Sequence, residues 1–212
     1  MSHSCRVSFV EPFHRLPLGQ WHERCNTATT DSVMQALQGS GSIMQRFMAL
    51  ISPEAENQLE GLCHTSRAIT QQRFGKVIRL FAPLYLSNEC INNCQYCGFS
   101  RDNPILRVTL DVEQVLREAR ELGNQGFRNI LLVAGEHPKF VSSGYMESCL
   151  RALKPLVPSL SMEVGPMETE EYRPMVLAGA EGLVVYQETY DETIYSQMHT
   201  AGPKKDFDWR LA

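Results

Sequence analysis

No surplus of positive charge marks this sequence: 20 Lys and Arg stand against 24 Asp and Glu, a net charge of −4. A protein whose work is gripping phosphate backbones carries a basic excess, so nucleic acid is not expected as a partner. There is no uninterrupted apolar run long enough to cross a bilayer, and no membrane partner is expected. The first twenty residues lack the basic start and apolar stretch of a secretion signal, which points to a cytoplasmic protein. Low-complexity tracts and internal repeats are missing too. The 43% hydrophobic and 21% charged content is that of a globular chain, which excludes wholesale disorder. At 212 residues the chain can bury a core without disulfide staples.

Cysteine is the exception. Seven are present, an odd number and a high one for a cytoplasmic chain. Disulfide scaffolds are usually short, secreted and even-numbered, so a metal or redox site is the better reading of a cluster.

Texture divides the chain into three stretches. Residues 1–30 mix Pro12, Pro17 and Gly19 with His and Cys and read as an irregular lead-in. Residues 31–75 read as a helical extension. Asp31 is placed to cap a short helix to Leu37, Gly39-Ser40-Gly41 breaks it, and Ser52-Pro53 starts a longer helix that Gly75 stops. Residues 76–212 alternate strands and helices. Strands are expected at residues 84–88, 130–133, 160–164 and 183–187, and helices at 109–125, 145–153, 168–178 and 191–198. Four strand–helix units in order predict an α/β fold with a parallel sheet and helices outside it. Residues 203–212 read as the approach to another strand, so the architecture looks unfinished, a barrel core incomplete at its C-terminus.

Cys90, Cys94 and Cys97 form a Cys-x3-Cys-x2-Cys array in the loop after the first strand. In a parallel α/β barrel that is the end where active sites are built. Three thiolates can hold three irons of a [4Fe–4S] cluster and leave the fourth iron to a ligand that is not protein. A zinc ribbon would want a second ligand pair, but Cys149 is single and His137 has no histidine nearby. A thioredoxin-type Cys94-Gln95-Tyr96-Cys97 would leave Cys90 unexplained. Cys5, Cys25, Cys63 and Cys149 read as ordinary thiols, with Cys63 and Cys149 in helices where a buried cysteine acts as a small hydrophobe.

The triplet, with an aromatic residue before its last cysteine, resembles the radical S-adenosylmethionine (SAM) superfamily. Ala134-Gly135-Glu136, ending the second strand, resembles that superfamily's Gly-Gly-Glu motif, with Ala at its first position. Longer strings narrow the likeness. Pro83-Leu84-Tyr85-Leu86-Ser87-Asn88, Tyr96-Cys97-Gly98-Phe99-Ser100, Val133-Ala134-Gly135-Glu136-His137 and Val185-Tyr186-Gln187-Glu188-Thr189-Tyr190 resemble the 2-iminoacetate synthase family, the tyrosine lyases of thiamine thiazole biosynthesis.

The resemblance implies that Cys90, Cys94 and Cys97 ligate the cluster and that SAM occupies the open iron. It places Tyr96 near the adenine, against the alternative of a packing aromatic, and Gly135 and Glu136 near the methionine amino group. It implies cleavage of the Cα–Cβ bond of tyrosine to 2-iminoacetate and 4-cresol, with thiazole synthase as the partner that uses the imine. A reductant such as flavodoxin or ferredoxin is implied as electron source. Two further residues come from strand periodicity. Ser161, Glu163 and Gly165 share one face of the third strand, and if that face lines the barrel Glu163 needs a partner that a ribose hydroxyl would supply. Gln187 or Glu188 on the fourth strand could reach cofactor or substrate, against salt bridges at the rim. Arg210 could meet a carboxylate, against simple solvation, and Lys204-Lys205 reads as a solvated pair. The alternatives are a sister lyase of the superfamily, of the hydrogenase cofactor maturation or tryptophan lyase type, an inactive cluster-binding fragment, and a zinc-stabilised module.

Overall fold

A computed structural model describes residues 8–212, so Cys5 lies outside the described residues. The chain forms two compact units, the first running to Ile78 and the second spanning Arg79–Ala212.

The first unit is helical. Where the sequence reads as an irregular lead-in, the structure builds α1 (Val10–His14) and α2 (Leu18–Asn26). Pro17 sits at the N-cap of α2, where a missing N–H costs nothing. The next helix, α3 (Thr30–Leu37), is capped by Thr29 and not by Asp31: Thr29 and Ser32 form a reciprocal capping box, and Asp31 falls in the first turn. Gly39 and Gly41 take φ of +82° and +91° and break the chain as expected. A helix the sequence reading missed, α4 (Ile43–Leu50), follows its own Ser42–Gln45 capping box. Ser52 then caps a 3₁₀ turn at Pro53–Gln58, which leads into α5 (Leu59–Phe74). Cys63 lies exposed on α5, which corrects its reading as a buried thiol.

The second unit is α/β. In chain order it comprises β1 (Ala82–Ser87), β2 (Asn93–Cys94), α6 (Val112–Asn124), β3 (Asn129–Ala134), α7 (Ser143–Leu153), β4 (Ser159–Glu163), α8 (Thr169–Ala178), β5 (Gly182–Val184), α9 (Glu192–Met198), β6 (His199–Ala201), a 3₁₀ turn at Pro203–Lys205 and α10 (Phe207–Leu211). The sheet order is β1-β3-β4-β5 and every pairing in it is parallel. The strand–helix alternation explains this, since each helix carries the chain back to start the next parallel strand.

Register gives each face of the sheet its role. Leu84, Leu132 and Met162 stand in one row across β1, β3 and β4. All three are buried, and they join a core with Val115 and Ala119 of α6 and with Met146, Cys149, Leu150 and Leu153 of α7. Cys149 is therefore the small core hydrophobe its helical setting implies. The adjacent row, Tyr85, Val133, Glu163 and Val184, points to the opposite face.

Two expectations fail at the C-terminal end. The fourth strand is three residues long, not five. The stretch expected to approach another strand is a 3₁₀ turn and a short helix capped by Asp206, whose carboxylate accepts from Trp209 N. A cap residue three positions before an N–H donor is a helix signal that outweighs the strand reading.

Candidate functional site

A cavity of about 490 Å³ opens on the C-terminal ends of the strands. Its floor is the inward row of the sheet, including Tyr85, Val133, Glu163 and Val184, and its rim carries Cys90, Cys94, Cys97, Tyr96, Gly135, Glu136, Glu188, Lys204 and Arg210. Of the residues singled out from sequence, the cavity gathers the three cysteines with Tyr96, Gly135, Glu136 and Glu163. Gln187 is not on its wall; its amide donates to Phe207 O at 3.4 Å, while Tyr186 and Glu188 flank the opening.

The cysteine loop leaves β1 and folds back on itself. Arg101 N donates to Asn92 O, and Ser100 bridges Cys94, accepting from its N–H at 2.8 Å while its hydroxyl bonds the Cys94 carbonyl. Arg107 fastens the far side of the loop. Its guanidinium donates to the carbonyls of Asn88, Phe99, Ser100, Arg101 and Asn103, using the fork that only Arg offers.

The donor set suits a cluster. Among the described residues no three His, Cys, Asp or Glu side chains converge on one ion-sized point. All three thiols line the one cavity, where a group of several irons would take one bond from each. Phe99 N points at Cys97 Sγ at 3.4 Å, and Asn92 Nδ2 lies 3.8 Å from Cys90 Sγ, so donors already face two sulfurs. Burial pushes the Cys94 thiol above its ordinary pKa; Lys204 opposes the rise and the neighbouring Cys97 and Cys90 thiols add to it.

Gly135 has a structural reason the sequence did not reveal. A Cβ there would run into Glu89 O and lie 3.2 Å from Cys90 Cβ, so the glycine lets the cysteine loop lie against the end of β3. Gly165 does the same for Glu136: a Cβ there would stand 2.8 Å from the Glu136 carboxyl carbon. Glu136 Oε2 accepts from Asn92 Nδ2 at 2.8 Å and lies 3.5 Å from Arg210 Nη1. Glu163 is half-buried, and its carboxylate has no hydrogen-bond partner among the described residues.

Arg210 is the residue sequence reasoning undervalued. Its side chain is 4% exposed, Nη2 donates to Tyr186 O at 3.1 Å, and Nε and Nη1 are buried without a hydrogen bond. Orphaned guanidinium donors in a cavity are costly unless a ligand satisfies them. Asn92 was also missed. No local signal marks either residue, because the carboxylate and backbone partners that place them in the site lie far off in sequence, Glu136 and Lys204 for Asn92 and Tyr186 and Glu136 for Arg210.

Beside the cysteines, Glu188 is the only non-glycine residue with positive φ among the described residues, at +75°. Such a strained backbone persists where its surroundings fix it. Glu188 Oε1 accepts from Lys204 Nζ at 2.8 Å, with the ammonium 5.7 Å over the Tyr96 ring. Lys204 is thus a half-buried ion-pair partner, 14% exposed in its side chain, while Lys205 is exposed as the solvated reading expects. Burial works against the Glu188 charge, but Lys204 more than offsets it and leaves the carboxyl below its ordinary pKa. Partial burial, with the Glu188 charge added, pushes the Tyr96 phenol well above its usual range, so it is a hydrogen-bond donor and not a phenolate.

Comparison with known proteins agrees with this geometry. The model of the radical SAM superfamily matches residues 84–212. The chain is 41% identical over 204 residues to 2-iminoacetate synthase of Escherichia coli (strain K12), which covers 96% of this chain and 54% of that protein. It is 29% identical to 3-methylornithine synthase of Methanosarcina acetivorans, over 71% of this chain and 43% of that protein. The solved structure of the FeFe-hydrogenase maturase HydG from Carboxydothermus hydrogenoformans superposes with a TM-score of 0.76 at 30% identity, over 95% of this chain and 46% of that one. The chain spans about half the length of the curated relatives it matches.

Proposed function

This chain belongs to the radical SAM superfamily, and on that premise we propose that it carries the cluster and cofactor site of a tyrosine lyase forming 2-iminoacetate and 4-cresol. The cofactors of the superfamily, a [4Fe–4S] cluster and S-adenosylmethionine, fit the residues present. When bound they supply one-electron cleavage of a carbon–sulfur bond and so a carbon radical able to abstract hydrogen.

The observation that carries the reading is the meeting of three thiols with an opposed charge pair in one cavity. Cys90, Cys94 and Cys97 would hold three irons. Glu136 presents one carboxylate oxygen already fixed by Asn92 and a second without a partner among the described residues, a seat for an α-ammonium group. Arg210 presents two donors without a hydrogen bond beside it, a seat for the α-carboxylate. Together they complement the amino-acid end of SAM. Tyr96, half-exposed at the opening, offers a ring face for the adenine, and Glu163 or Glu188 an acceptor for ribose hydroxyls. The apolar floor of Val133, Val184 and Leu131 excludes water from the reacting atoms.

The substrate tyrosine, thiazole synthase as consumer of the imine, a flavodoxin- or ferredoxin-type reductant and a cytoplasmic setting belong to the same proposal. They rest on the likeness to 2-iminoacetate synthase. A reducing compartment suits a site built on free thiols, and among the described residues no helix is long and apolar enough to cross a membrane. A second reading, a sister lyase of hydrogenase maturation, is favoured by the superposition on HydG.

Anaerobic reconstitution with iron and sulfide tests the site. Cys90→Ala, Cys94→Ala and Cys97→Ala each lose the [4Fe–4S] absorption, whereas Cys25→Ala, Cys63→Ala and Cys149→Ala keep it. The same protein, joined with the segment that completes its relatives and given dithionite, SAM and tyrosine, releases 4-cresol. Glyoxylate from the hydrolysed imine supports the first reading; carbon monoxide and cyanide would move the assignment to the second.

A further inference from the structure

The cysteine loop is held from outside by a segment more than a hundred residues downstream. β6 pairs antiparallel with β2, setting His199 opposite Cys94 and Ala201 opposite Asn93. Gln95 N donates to Met198 O at 2.9 Å, Thr200 Oγ1 to Asn93 O at 3.1 Å, and Lys204 N to Asn92 Oδ1 at 2.8 Å. Every residue from Asn92 to Tyr96 therefore touches this one segment.

His199 makes the central contact. It is fully buried, with Nδ1 2.9 Å from Tyr195 O and Nε2 2.7 Å from the Tyr96 hydroxyl. A carbonyl only accepts, so Nδ1 carries the hydrogen, Nε2 accepts, and the Tyr96 hydroxyl donates. The Tyr195 ring, 4.0 Å away, holds the imidazole in that orientation. Gly202 makes the close approach possible. Its φ is +86°, and a Cβ there would stand 2.7 Å from both Asn92 Cα and Ile91 O.

A two-residue β pair is marginal by itself. Reinforced by four side-chain or turn contacts around it, the pair completes the ordering of the loop's backbone that the loop's own bonds begin, leaving less to be supplied by metal binding. We propose that residues 198–204 form a latch that sets the cysteine loop in its ligating shape before iron arrives, with His199 and Gly202 as positioning residues. The inference rests on the reading that Cys90, Cys94 and Cys97 ligate the cluster. It adds that their arrangement depends on a distant segment as well as on the loop's own bonds to Ser100, Arg101 and Arg107.

The test uses the full chain, with Thr200→Val, His199→Phe and Gly202→Ala. One readout is hydrogen exchange of residues 90–97 in the iron-free protein; the other is the rate at which reconstituted protein loses iron to a chelator. Thr200→Val removes one exposed hydrogen bond and raises loop exchange roughly threefold. His199→Phe and Gly202→Ala raise it about tenfold or more. Iron loss quickens in the same order, while exchange of Asn129–Ala134 stays at the parent rate, which separates local release from unfolding. Parent-rate exchange and iron loss in His199→Phe and Gly202→Ala overturn the latch. If Gly202→Ala also exposes Asn129–Ala134, Thr200→Val decides, and its failure to change loop exchange overturns the latch. A parent protein that takes up no iron overturns the cluster reading instead, and the exchange readout still judges the latch.

Discussion

Arg210 shows how a single side chain can matter through what it lacks. Its Nε and Nη1 are buried without a hydrogen bond, yet a carboxylate 3.5 Å from Nη1 keeps the charge tolerable. Replacing it with lysine keeps the charge and removes the planar fork. Arg210→Lys is expected to weaken SAM about tenfold by equilibrium dialysis, with iron content unchanged. The cysteines, Tyr96, Gly135 and Glu136 were legible because short spacing and motif chemistry announce them. Arg210, Asn92 and Lys204 were not, because a polar residue near a chain terminus or between two cysteines carries no signal until the fold brings its partner. Gln187 lies off the cavity wall for a finer reason: the strand expected to carry it ends at Val184, so period-two alternation no longer tells which way its side chain points.

Among the elements, glycines at strand ends set how closely the site's parts approach. Gly165 and Gly135 look alike in sequence but differ in what a methyl group would meet. At Gly165 it meets the movable carboxyl end of Glu136; at Gly135 it meets the backbone of Glu89. Gly165→Ala is therefore expected to shift the unfolding midpoint little, costing about 1 kcal/mol, while weakening SAM binding because the carboxylate is displaced. Gly135→Ala is expected to cost about 3 kcal/mol in thermal unfolding, because the cysteine loop must move as a body. Strands β1, β3 and β4 and helices α6 to α9 could be read from hydrophobic period and caps, as Asp111 before α6 and Gly179 after α8 illustrate. β2 and β6 could not, since neither has a pattern of its own and each exists only through the other. The helices α1, α2 and α4 are short, and the prolines and glycines near them masked their caps.

For the whole molecule the sheet edge is decisive. β5 is an edge strand with Leu183 45% exposed, beside Val185 and Tyr186, which are also exposed. An open apolar edge invites a second strand. The 212-residue chain is expected to self-associate in sedimentation velocity as concentration rises, and Leu183→Lys to shift it toward the monomer. A monomer at every concentration would show that the edge is protected in solution.

The pairing of β2 with β6 also sets a clock. Tyr96 and His199 are 103 residues apart. A ribosome adding about 5–20 residues per second leaves roughly 5–20 seconds between their synthesis. Through that interval three thiols stand in the nascent chain with only the loop's own bonds to Ser100, Arg101 and Arg107 to hold their spacing. Iron delivered then would find a loose strand, and iron delivered later a finished cradle. Supply of the cluster after the chain has folded is the order of assembly this architecture favours.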